Sequence, residues 1–360
     1  MAGISLCMIV KDEEAVLERC LQSVGGAVDE IVVVDTGSTD KTKEIAARYT
    51  DKVYDFPWVD DFSAARNFSF SKATQENILW LDADDILLPR DLEMLIALKE
   101  HMPDVDMVYM RYHSAFNENG IPLFSYFRER LLRREAAFQW KGRVHEAIAP
   151  RGRILYSDIA ITHRSAKAIY PDRNLRIYEK QLAEGAPFSP RDTFYYGREL
   201  YYHKHYAKAE AVLDGFLRSG EGWLENNIEA CKVLASCRRE QGDLPGAADA
   251  LCRSFRWGAP RAEICCALGA IHMEQSDWQA AAFWYEAALH APRNDASGAF
   301  IVEDCYGFLP CIQLAVCYDR LGEYERAEQY NLRAGAYRPS SPAYIKNLEY
   351  FARRRTSLHP

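Results

Sequence analysis

The chain has 360 residues, of which 48% are hydrophobic and 27% are charged, and its formal net charge is -8. This length and apolar content are sufficient for two domains, each with a core of its own. The acidic balance argues against binding a nucleic-acid backbone as the main role, and no apolar run reaches the ~18 residues of a membrane span.

The N-terminus and the cysteines indicate the compartment. The opening MAGISLCMIVKDEE has neither the basic segment nor the cleavage site of a signal peptide. Ten cysteines occur without a CxxC pair, a pattern typical of small buried side chains in a reducing environment rather than of zinc ligands. We therefore expect a cytoplasmic protein.

In the first half, short β-rich runs alternate with amphipathic helices. ISLCMIV, EIVVVD and ILWLD are predicted strands, and EEAVLERCLQSV and STDKTKEIAARY are predicted helices between them. Because the strands are continuously apolar, we expect burial on both faces, as in a parallel α/β sheet. Ser38 or Thr39 is expected to cap the second helix, and Pro89 to lie in the first turn of the next.

After about Tyr170 the pattern is helical and repetitive. QGDLPGAADAL recurs 34 residues later as QSDWQAAAFWY, and LGEYERAEQY follows after a further 46 residues, with an insertion around RNDASGAFIVED. KHYAKAEAVL is an earlier, weaker copy. A helix pair of this period cannot bury its apolar face alone, so the copies must stack into a solenoid. These residues resemble the tetratricopeptide repeat.

The predicted organisation is therefore an α/β domain at 1-168, a helical linker at 169-190 and an all-α repeat domain at 191-360.

Several nucleotide and metal sites are excluded in the first domain. Its first strand is followed by VKDEE rather than the glycines of a dinucleotide site, and no GxxxxGK[ST] loop occurs. VHEAIA lacks the second histidine of a zinc-protease helix.

Aspartates end two of the predicted strands. Asp35 ends one, and Asp82, Asp84 and Asp85 follow another. Ligands of open α/β sheets bind beyond the carboxyl ends of strands, so both groups are expected to line one crevice, although Asp35 could equally be a turn residue. Crowded carboxylates are costly unless a cation binds there, and Mg²⁺ or Mn²⁺ is usually held by one or two carboxylates plus substrate phosphates.

Four motifs in order, SLCMIVKDEE, IVVVDTGSTDKT, FSAARNFSF and WLDADD, resemble the N-terminal half of family 2 glycosyltransferases, which have the GT-A fold. RERLLRR, WKGRVHEAI and ITHRS continue the resemblance toward SunS-like peptide S-glycosyltransferases of glycocin synthesis and lipopolysaccharide-core glucosyltransferases. The resemblance implies an inverting hexosyltransferase that uses a UDP-sugar donor and Mn²⁺ or Mg²⁺.

The same resemblance implies roles for particular residues. The residues expected to contact the nucleotide sugar are Val10, Glu13, Asp35, Arg66, Asn67, Asp82, Asp85 and Gly142. Asp84 and His163 are expected to bind the metal. Where the family has an acidic motif, this chain has His145 and Glu146, so the general base is one of the two, with Glu146 favoured.

The acceptor and the role of the repeats are less constrained. The favoured acceptor is a Cys or Ser/Thr side chain of a peptide or protein, and a cell-surface saccharide or lipopolysaccharide-type acceptor is the alternative. The repeats are expected to hold the acceptor in a groove, to form a homodimer, or both. A non-catalytic scaffold is a further alternative, whereas a nucleotidyltransferase would carry a glycine- and arginine-rich loop that is missing here.

Overall fold

The computed structural model describes residues 2-116, 120, 122-165, 172-293, 298 and 301-358. The chain divides into two compact units, Met1–Asp192 and Thr193–Pro360. The predicted boundary between 168 and 169, and part of the RNDASGAFIVED insertion, lie outside the described residues. The described part of the predicted linker, from residue 172, belongs to the first unit.

The first unit is built on one large sheet. Its strands are β1 (Ile4–Val10), β2 (Glu30–Asp35), β3 (Val53–Asp55), β4 (Asn77–Trp80), β5 (Asp85–Leu87), β6 (Met107–Phe116), β7 (Pro122–Arg133), β8 (Trp140–Lys141), β9 (Ala147–Ile148) and β10 (Ile154–His163). The sheet order is β3-β2-β1-β4-β7-β6-β10-β5, and β8 pairs with β9 separately.

The sheet is mixed rather than parallel throughout. Strands β1 to β4 pair in parallel, as do β6 and β10. The predicted parallel arrangement is confirmed for the three predicted strands, whereas β7 and β5, which were not predicted, run antiparallel to their neighbours. Because only a short connection joins β6 to β7, these two strands form a hairpin, which requires antiparallel pairing.

Both faces of the sheet are buried, as the apolar strands predict. In β1, Leu6 and Met8 belong to one apolar cluster and Cys7 to the other. In β2, Val33 lies on the first face and Val32 on the second. This alternation follows from the two-residue period of a strand, and it places a core on each side of the sheet.

Five helices lie within the described residues of the first unit, and the first four of them contact strands of the large sheet. They are α1 (Leu17–Ser23), α2 (Thr42–Ala47), α3 (Phe62–Lys72), α4 (Pro89–Glu100) and α5 (Arg173–Ala183). Helices α1 and α2 are shorter than the patterns predict, and Pro89 lies in the first turn of α4 as expected.

The predicted cap of α2 is wrong. Asp40 Oδ1 accepts from Thr42 N at 2.9 Å, whereas Ser38 Oγ accepts from Asp12 N at 2.9 Å. Thr39 N donates to Asp12 Oδ1 at 2.7 Å. Ser38 and Thr39, in the loop after β2, therefore bind Asp12 in the loop after β1 instead of capping the helix.

In its described residues, the second unit is helical apart from one short strand, β11 (Ile301–Val302). Its helices are α6 (Pro190–Tyr202), which begins just before the division, α7 (Tyr206–Ser219), α8 (Leu224–Glu240), α9 (Leu244–Arg253), α10 (Ala262–Glu274), α11 (Trp278–His290), α12 (Phe308–Arg320), α13 (Tyr324–Tyr337) and α14 (Pro342–Leu358). Consecutive helices pair in the way that the repeated sequence predicts.

The turns within the helix pairs confirm the repeat register. Gly242, Ser276 and Gly322 occupy the left-handed region at φ of 84°, 58° and 83°, and they recur at the predicted spacings. Between the helices of one pair, Gly269 lies so close to Tyr285 that an added Cβ would fall 2.8 Å from the ring. Glycine at this position permits the close approach on which the packing of the pair depends.

All ten cysteines are free thiols, and nine of them are buried, with Cys252 exposed. This burial agrees with the prediction that they act as small apolar side chains. Among the described residues, no helix combines the length and the apolar character that crossing a bilayer requires.

Candidate active site

A cleft of about 350 Å³ opens beyond the carboxyl ends of β1, β2 and β4. Its lining residues come from these strand ends, from α3, from β7, from the turn between β8 and β9 and from the start of α5: Ile9, Val10, Lys11, Glu13, Thr36, Trp58, Phe62, Arg66, Trp80, Asp82, Ala83, Asp84, Arg128, Val144, His145, Glu146, Arg173 and Asn174. The cleft therefore lies where the strand-end aspartates predict a ligand site.

One side of the cleft is formed by the ends of β1 and β2. Val10 and Glu13 line it as predicted, and Thr36 Oγ1 donates to the carbonyl oxygen of Val10 at 3.1 Å. Glu13 N donates to Thr42 Oγ1 at 2.7 Å, which fixes the loop after β1 against the start of α2.

Asp35 ends β2 and is only 2% exposed. Its Oδ1 accepts from the backbone amides of Gly37 and Ser38, both at 2.9 Å. Its Oδ2 is buried and has no hydrogen-bond partner among the described residues. Asp35 therefore has the turn role that its sequence position allows, and it also keeps one oxygen for a donor group of a ligand.

The aspartates after β4 are arranged by a tight turn. Asp82 N donates to Asp85 Oδ2 at 3.1 Å. Asp82 and Asp84 line the cleft, whereas the Asp85 side chain is fully buried. Burial would raise the pKa of Asp82, but the charges of Arg66 and Arg130 outweigh that effect and lower the pKa to about 2. Asp82 is therefore a carboxylate at neutral pH.

Asp84, Asp85 and His163 form a group that could hold a metal ion, since one ligand atom from each lies within 4.8 Å of the others. The pairing of β10 with β5 sets His163 opposite Asp85. His163 Nδ1 lies 3.3 Å from Asp84 Oδ1 and 3.4 Å from Asp85 Oδ1. Hydrogen bonding to these carboxylates raises the pKa of His163 to about 10.

These donors fit the divalent ion that the sequence predicts. Two carboxylates and an imidazole suit Mn²⁺ and, through the oxygens, Mg²⁺. Asp85 Oδ1 is buried and its contact with His163 Nδ1 is long, at 3.4 Å, so a cation there would give this oxygen a closer partner. Asp85, expected to contact the nucleotide sugar, is thus placed with Asp84 and His163.

Arg130 compensates the buried charge of Asp85. Its side chain is 1% exposed, and its Nη1 donates to Asp85 Oδ2 at 3.0 Å and to the Trp80 carbonyl at 3.2 Å. Its guanidinium lies 3.8 Å from the centre of the Trp80 ring. A buried carboxylate needs a paired and hydrogen-bonded partner, and Arg130 supplies one to Asp85.

The far side of the cleft is formed by α3 and the turn after β8. Phe62 N donates to the carbonyl of Arg143 at 2.9 Å, which fixes the start of α3 beside this turn. His145 and Glu146 line the cleft as predicted, and Arg66 Nε donates to Glu146 Oε1 at 2.6 Å. The two candidate bases therefore face the space that also contains Asp82 and Asp84.

Four of the predicted nucleotide contacts do not line the cleft: Asp35 and Asp85, which are buried, and Asn67 and Gly142. Asn67 Nδ2 donates to the Trp140 carbonyl at 3.0 Å, and Trp140 N donates to Asn67 Oδ1 at 2.8 Å, so both ends of the amide hold β8 against α3. Gly142 adopts φ of +101° and serves the turn that presents His145 and Glu146. Neither Asn67 nor Gly142 lines the cleft, and the structure gives both a supporting role instead.

The sequence interpretation did not include Trp58, Phe62, Arg128, Arg130 and Arg173. Trp58 and Phe62 pack edge to face at 4.8 Å, and Arg173 lies 4.5 Å from the Phe62 ring centre. A signal existed for Arg128 and Arg130, because arginines two apart on a strand share a face. Both guanidinium groups lie within 5.0 Å of the Trp80 ring centre.

Comparison with known proteins agrees with this architecture. Residues 5–155 match the family described as Glycosyl transferase family 2, and residues 311–343 match a tetratricopeptide repeat family. A TPR repeat-containing protein of Synechococcus elongatus is 30% identical over 302 residues, which are 81% of this chain and 67% of that protein. The chain therefore has a family 2 glycosyltransferase domain at its N-terminus and a tetratricopeptide repeat in its C-terminal half.

A second relative is glycosyltransferase SunS of Bacillus phage SPbeta, 27% identical over 218 residues. This match covers 55% of the chain, which spans only about half, 49%, of the length of SunS. Among solved structures, glucosyl-3-phosphoglycerate synthase from Mycobacterium tuberculosis with Mn²⁺ and UDP-glucose aligns over 52% of this chain and 81% of its own, at 18% identity and a TM-score of 0.36. A similarity at that TM-score supports no inference about function.

Proposed function

We propose that this protein is a metal-dependent, inverting glycosyltransferase that moves a hexose, of glucose or N-acetylglucosamine type, from a UDP-sugar to a peptide or protein side chain. The observation that carries the proposal is the grouping of Asp84, Asp85 and His163 at a cleft that also contains Asp82 and Glu146. A metal ion there would neutralise the departing diphosphate, and a carboxylate on the other side of the cleft could take the proton of the acceptor.

Each side of the cleft supports a different part of the reaction. Asp35 Oδ2, to which no described residue donates a hydrogen bond, would accept one from a nucleobase N–H, and Asp82 would lie near the ribose. Asp84, Asp85 and His163 would hold Mn²⁺ or Mg²⁺, which supplies charge neutralisation for the departing diphosphate. Arg128 also lines the cleft and adds positive charge on that side.

Glu146 is the proposed general base. The acceptor hydroxyl or thiol gives its proton to the Glu146 carboxylate while its oxygen or sulfur forms a bond to the anomeric carbon. The bond from that carbon to the diphosphate oxygen breaks, and UDP leaves with the electron pair. Attack opposite to the leaving group inverts the anomeric centre. His145, on the same turn, is the alternative base.

The acceptor is proposed to approach along Trp58 and Phe62. These rings line the cleft at the start of α3, one turn before Arg66, which contacts Glu146. An aromatic pair of this kind suits an apolar side chain next to the modified residue. The repeats support a peptide or protein acceptor, because solenoids present extended surfaces suited to chain segments. A homodimer through the repeats is proposed as a compatible role.

Binding of UDP with Mn²⁺ separates an enzyme from a scaffold. Isothermal titration is expected to show UDP binding that depends on Mn²⁺ in the wild-type protein. Asp84→Asn should abolish that dependence, whereas Asp51→Asn, which changes an exposed aspartate outside the cleft, should leave it unchanged. No heat of binding in the wild-type protein would favour the scaffold and overturn the proposal.

The acceptor class needs a second experiment. Candidate peptides with Cys, Ser or Thr are incubated with Mn²⁺ and a panel of UDP-sugars, and their intact masses are measured. A mass increase of one hexose or one N-acetylhexosamine is the expected result. If peptides stay unmodified while an oligosaccharide acceptor gains a sugar, the glycosyltransferase assignment stands and the peptide acceptor is wrong.

A further inference from the structure

Arg66 occupies an unusual position between the two sides of the cleft. It lies in α3 with a side chain only 10% exposed. Its Nη2 donates to Asp82 Oδ1 at 2.7 Å, and its Nε donates to Glu146 Oε1 at 2.6 Å. One guanidinium thus joins a carboxylate that follows β4 to a carboxylate that lies 80 residues further along the chain from Arg66.

The guanidinium is held in place by aromatic rings. Its central carbon lies 5.0 Å from the centre of the Trp80 ring and 4.9 Å from that of Trp140, and the two rings pack edge to face at 4.8 Å. Trp140 is itself fixed by its two backbone hydrogen bonds with Asn67, the residue after Arg66. Stacking on tryptophan and charge-assisted hydrogen bonds both restrict the orientation of an arginine.

The two carboxylates that Arg66 joins belong to different parts of the proposed reaction. Asp82 is bonded through its backbone to Asp85, a member of the metal group, and so lies on the donor side. The Glu146 side chain is 10% exposed and lies on the acceptor side. The Asp82 side chain is 36% exposed, and the Arg66 guanidinium binds both carboxylates, so its positive charge offsets the repulsion between them.

We propose that Arg66 is a positioning residue for sugar transfer, which fixes Glu146 relative to Asp82 and so aligns the base with the anomeric carbon of the bound donor. This inference rests on the proposed function, and it differs from the sequence expectation that Arg66 contacts the nucleotide. Misplacing a catalytic group by about 1 Å can lower a rate ~100-fold, so the loss of this bridge should be visible in kcat.

Arg66→Lys tests the bridge, because an ammonium is a single point charge and cannot reproduce the planar fork that reaches both carboxylates. The assay measures UDP released from UDP-glucose and UDP-N-acetylglucosamine with Mn²⁺, with water as the acceptor. We expect kcat to fall about 100-fold while KM for the donor changes less than about threefold. Arg134→Lys, an exposed arginine outside the cleft, is the matched control.

A double-mutant cycle separates positioning from a merely structural role. If Arg66 acts through Glu146, then Arg66→Lys should have little further effect on kcat in the Glu146→Gln background. If the two substitutions lower kcat independently, so that their fold-losses multiply in the double variant, the positioning role is overturned. A wild-type kcat in Arg66→Lys would overturn it as well. If Arg66→Lys fails to fold, Glu146→Asp withdraws the carboxylate from Arg66 and should lower kcat likewise. No UDP release from either donor by the wild-type protein would overturn the proposed function and the positioning role with it.

Discussion

In the repeat unit, protein hydrogen-bond donors bind both oxygens of the buried Glu225 carboxylate. In the α/β unit, two buried carboxylates bind protein donors mainly through one of their two oxygens. Arg261 binds both oxygens of Glu225, with Nη2 to Oε1 at 2.7 Å. Asp35 has one bonded oxygen and one buried oxygen without a hydrogen-bond partner among the described residues, and the second oxygen of Asp85 is buried with only a long contact, 3.4 Å, to His163 Nδ1. Burying an unpaired polar atom costs free energy, so such an oxygen indicates a place for a ligand.

Carboxylates that only stabilise the fold differ from candidate site carboxylates in how their oxygens are bound. Glu263 in the repeats likewise has both oxygens bound, to Val302 N at 2.9 Å and to the Tyr306 hydroxyl at 3.2 Å. Residue type and burial do not distinguish Glu263 from Asp85. What differs is how the donors are distributed: each oxygen of Glu263 accepts one hydrogen bond, whereas Asp82 N and Arg130 Nη1 both donate to the same oxygen of Asp85.

Asp84→Asn tests the α/β side of the comparison and should have the largest effect. The loss of a charged metal ligand is expected to lower sugar transfer at least about 1,000-fold, measured as UDP release, because the diphosphate would no longer be neutralised. The melting temperature should change little, since the Asp84 side chain lies at the cleft surface. A variant that retains more than a tenth of wild-type activity would contradict the metal role of Asp84.

Arg261→Ala tests the repeat side. It leaves Glu225 buried without its partner, and we expect the free energy of unfolding to fall by about 3 kcal/mol. Urea denaturation followed by circular dichroism measures the change, with Arg256→Ala, an exposed arginine nearby in sequence, as the control. The affinity for UDP with Mn²⁺ should be unchanged in the folded protein. A loss of that affinity would contradict the distinction between carboxylates that stabilise the fold and carboxylates of the candidate site.

Gly269→Ala tests the packing of a repeat pair without changing any charge. The added methyl group would lie 2.8 Å from the Tyr285 ring, so we expect a destabilisation of about 2 kcal/mol. Gly215→Ala is a matched control, since it lies in helix α7 with no atom within 4 Å of the added methyl group. That change should be neutral or stabilise by up to about 1 kcal/mol. Equal destabilisation by both variants would contradict the close-approach explanation.

Glu30 gives the smallest predicted effect, on acid stability. Burial acts to raise its pKa, but hydrogen bonds from Lys52, Ser5 and Thr74 outweigh burial and lower the pKa to about 2. A depressed carboxylate pKa stabilises the folded state above the unfolded pKa, and this stabilisation is lost as the pH falls. Between pH 6 and pH 4 the loss should be about 1 kcal/mol.

The control for this prediction is Glu30→Gln, which removes the titrating group. Its stability should change less with pH than that of the wild-type protein over the same interval, measured by urea denaturation at each pH. A wild-type pH dependence that persists unchanged in Glu30→Gln would show that other groups are responsible.

The repeat unit was largely predictable because its signals are local. The spacing of 34 residues between two copies predicts the helix pairs, and the left-handed turn residues Gly242 and Ser276 lie at that spacing. The sequence signals for the β1 to β4 part of the sheet are also local, since each apolar strand is followed by a helical pattern. The antiparallel strands β7 and β5 were not predicted, because their pairing depends on partners distant in sequence.

The candidate site was predicted in part. Asp82 and Asp84 follow one strand, so their common location could be inferred from the sequence. Motif resemblance assigns adjacent Arg66 and Asn67 the same role, but a helix directs successive side chains about 100° apart. Arg66 therefore lines the cleft while Asn67 binds Trp140. The bond between Arg66 and Glu146 joins segments far apart in sequence, and no local pattern predicts it.

The unpaired oxygen of Asp35 has a consequence for the choice of nucleobase under the proposed function. A carboxylate oxygen can only accept a hydrogen bond, so it favours a ring that presents an imide N–H, as uracil does. Cytosine offers a lone pair at the same ring nitrogen, and two acceptors facing each other in a buried site repel. Cytidine nucleotides would then be excluded because their base lacks one hydrogen atom at this ring nitrogen, independently of any contact with the sugar.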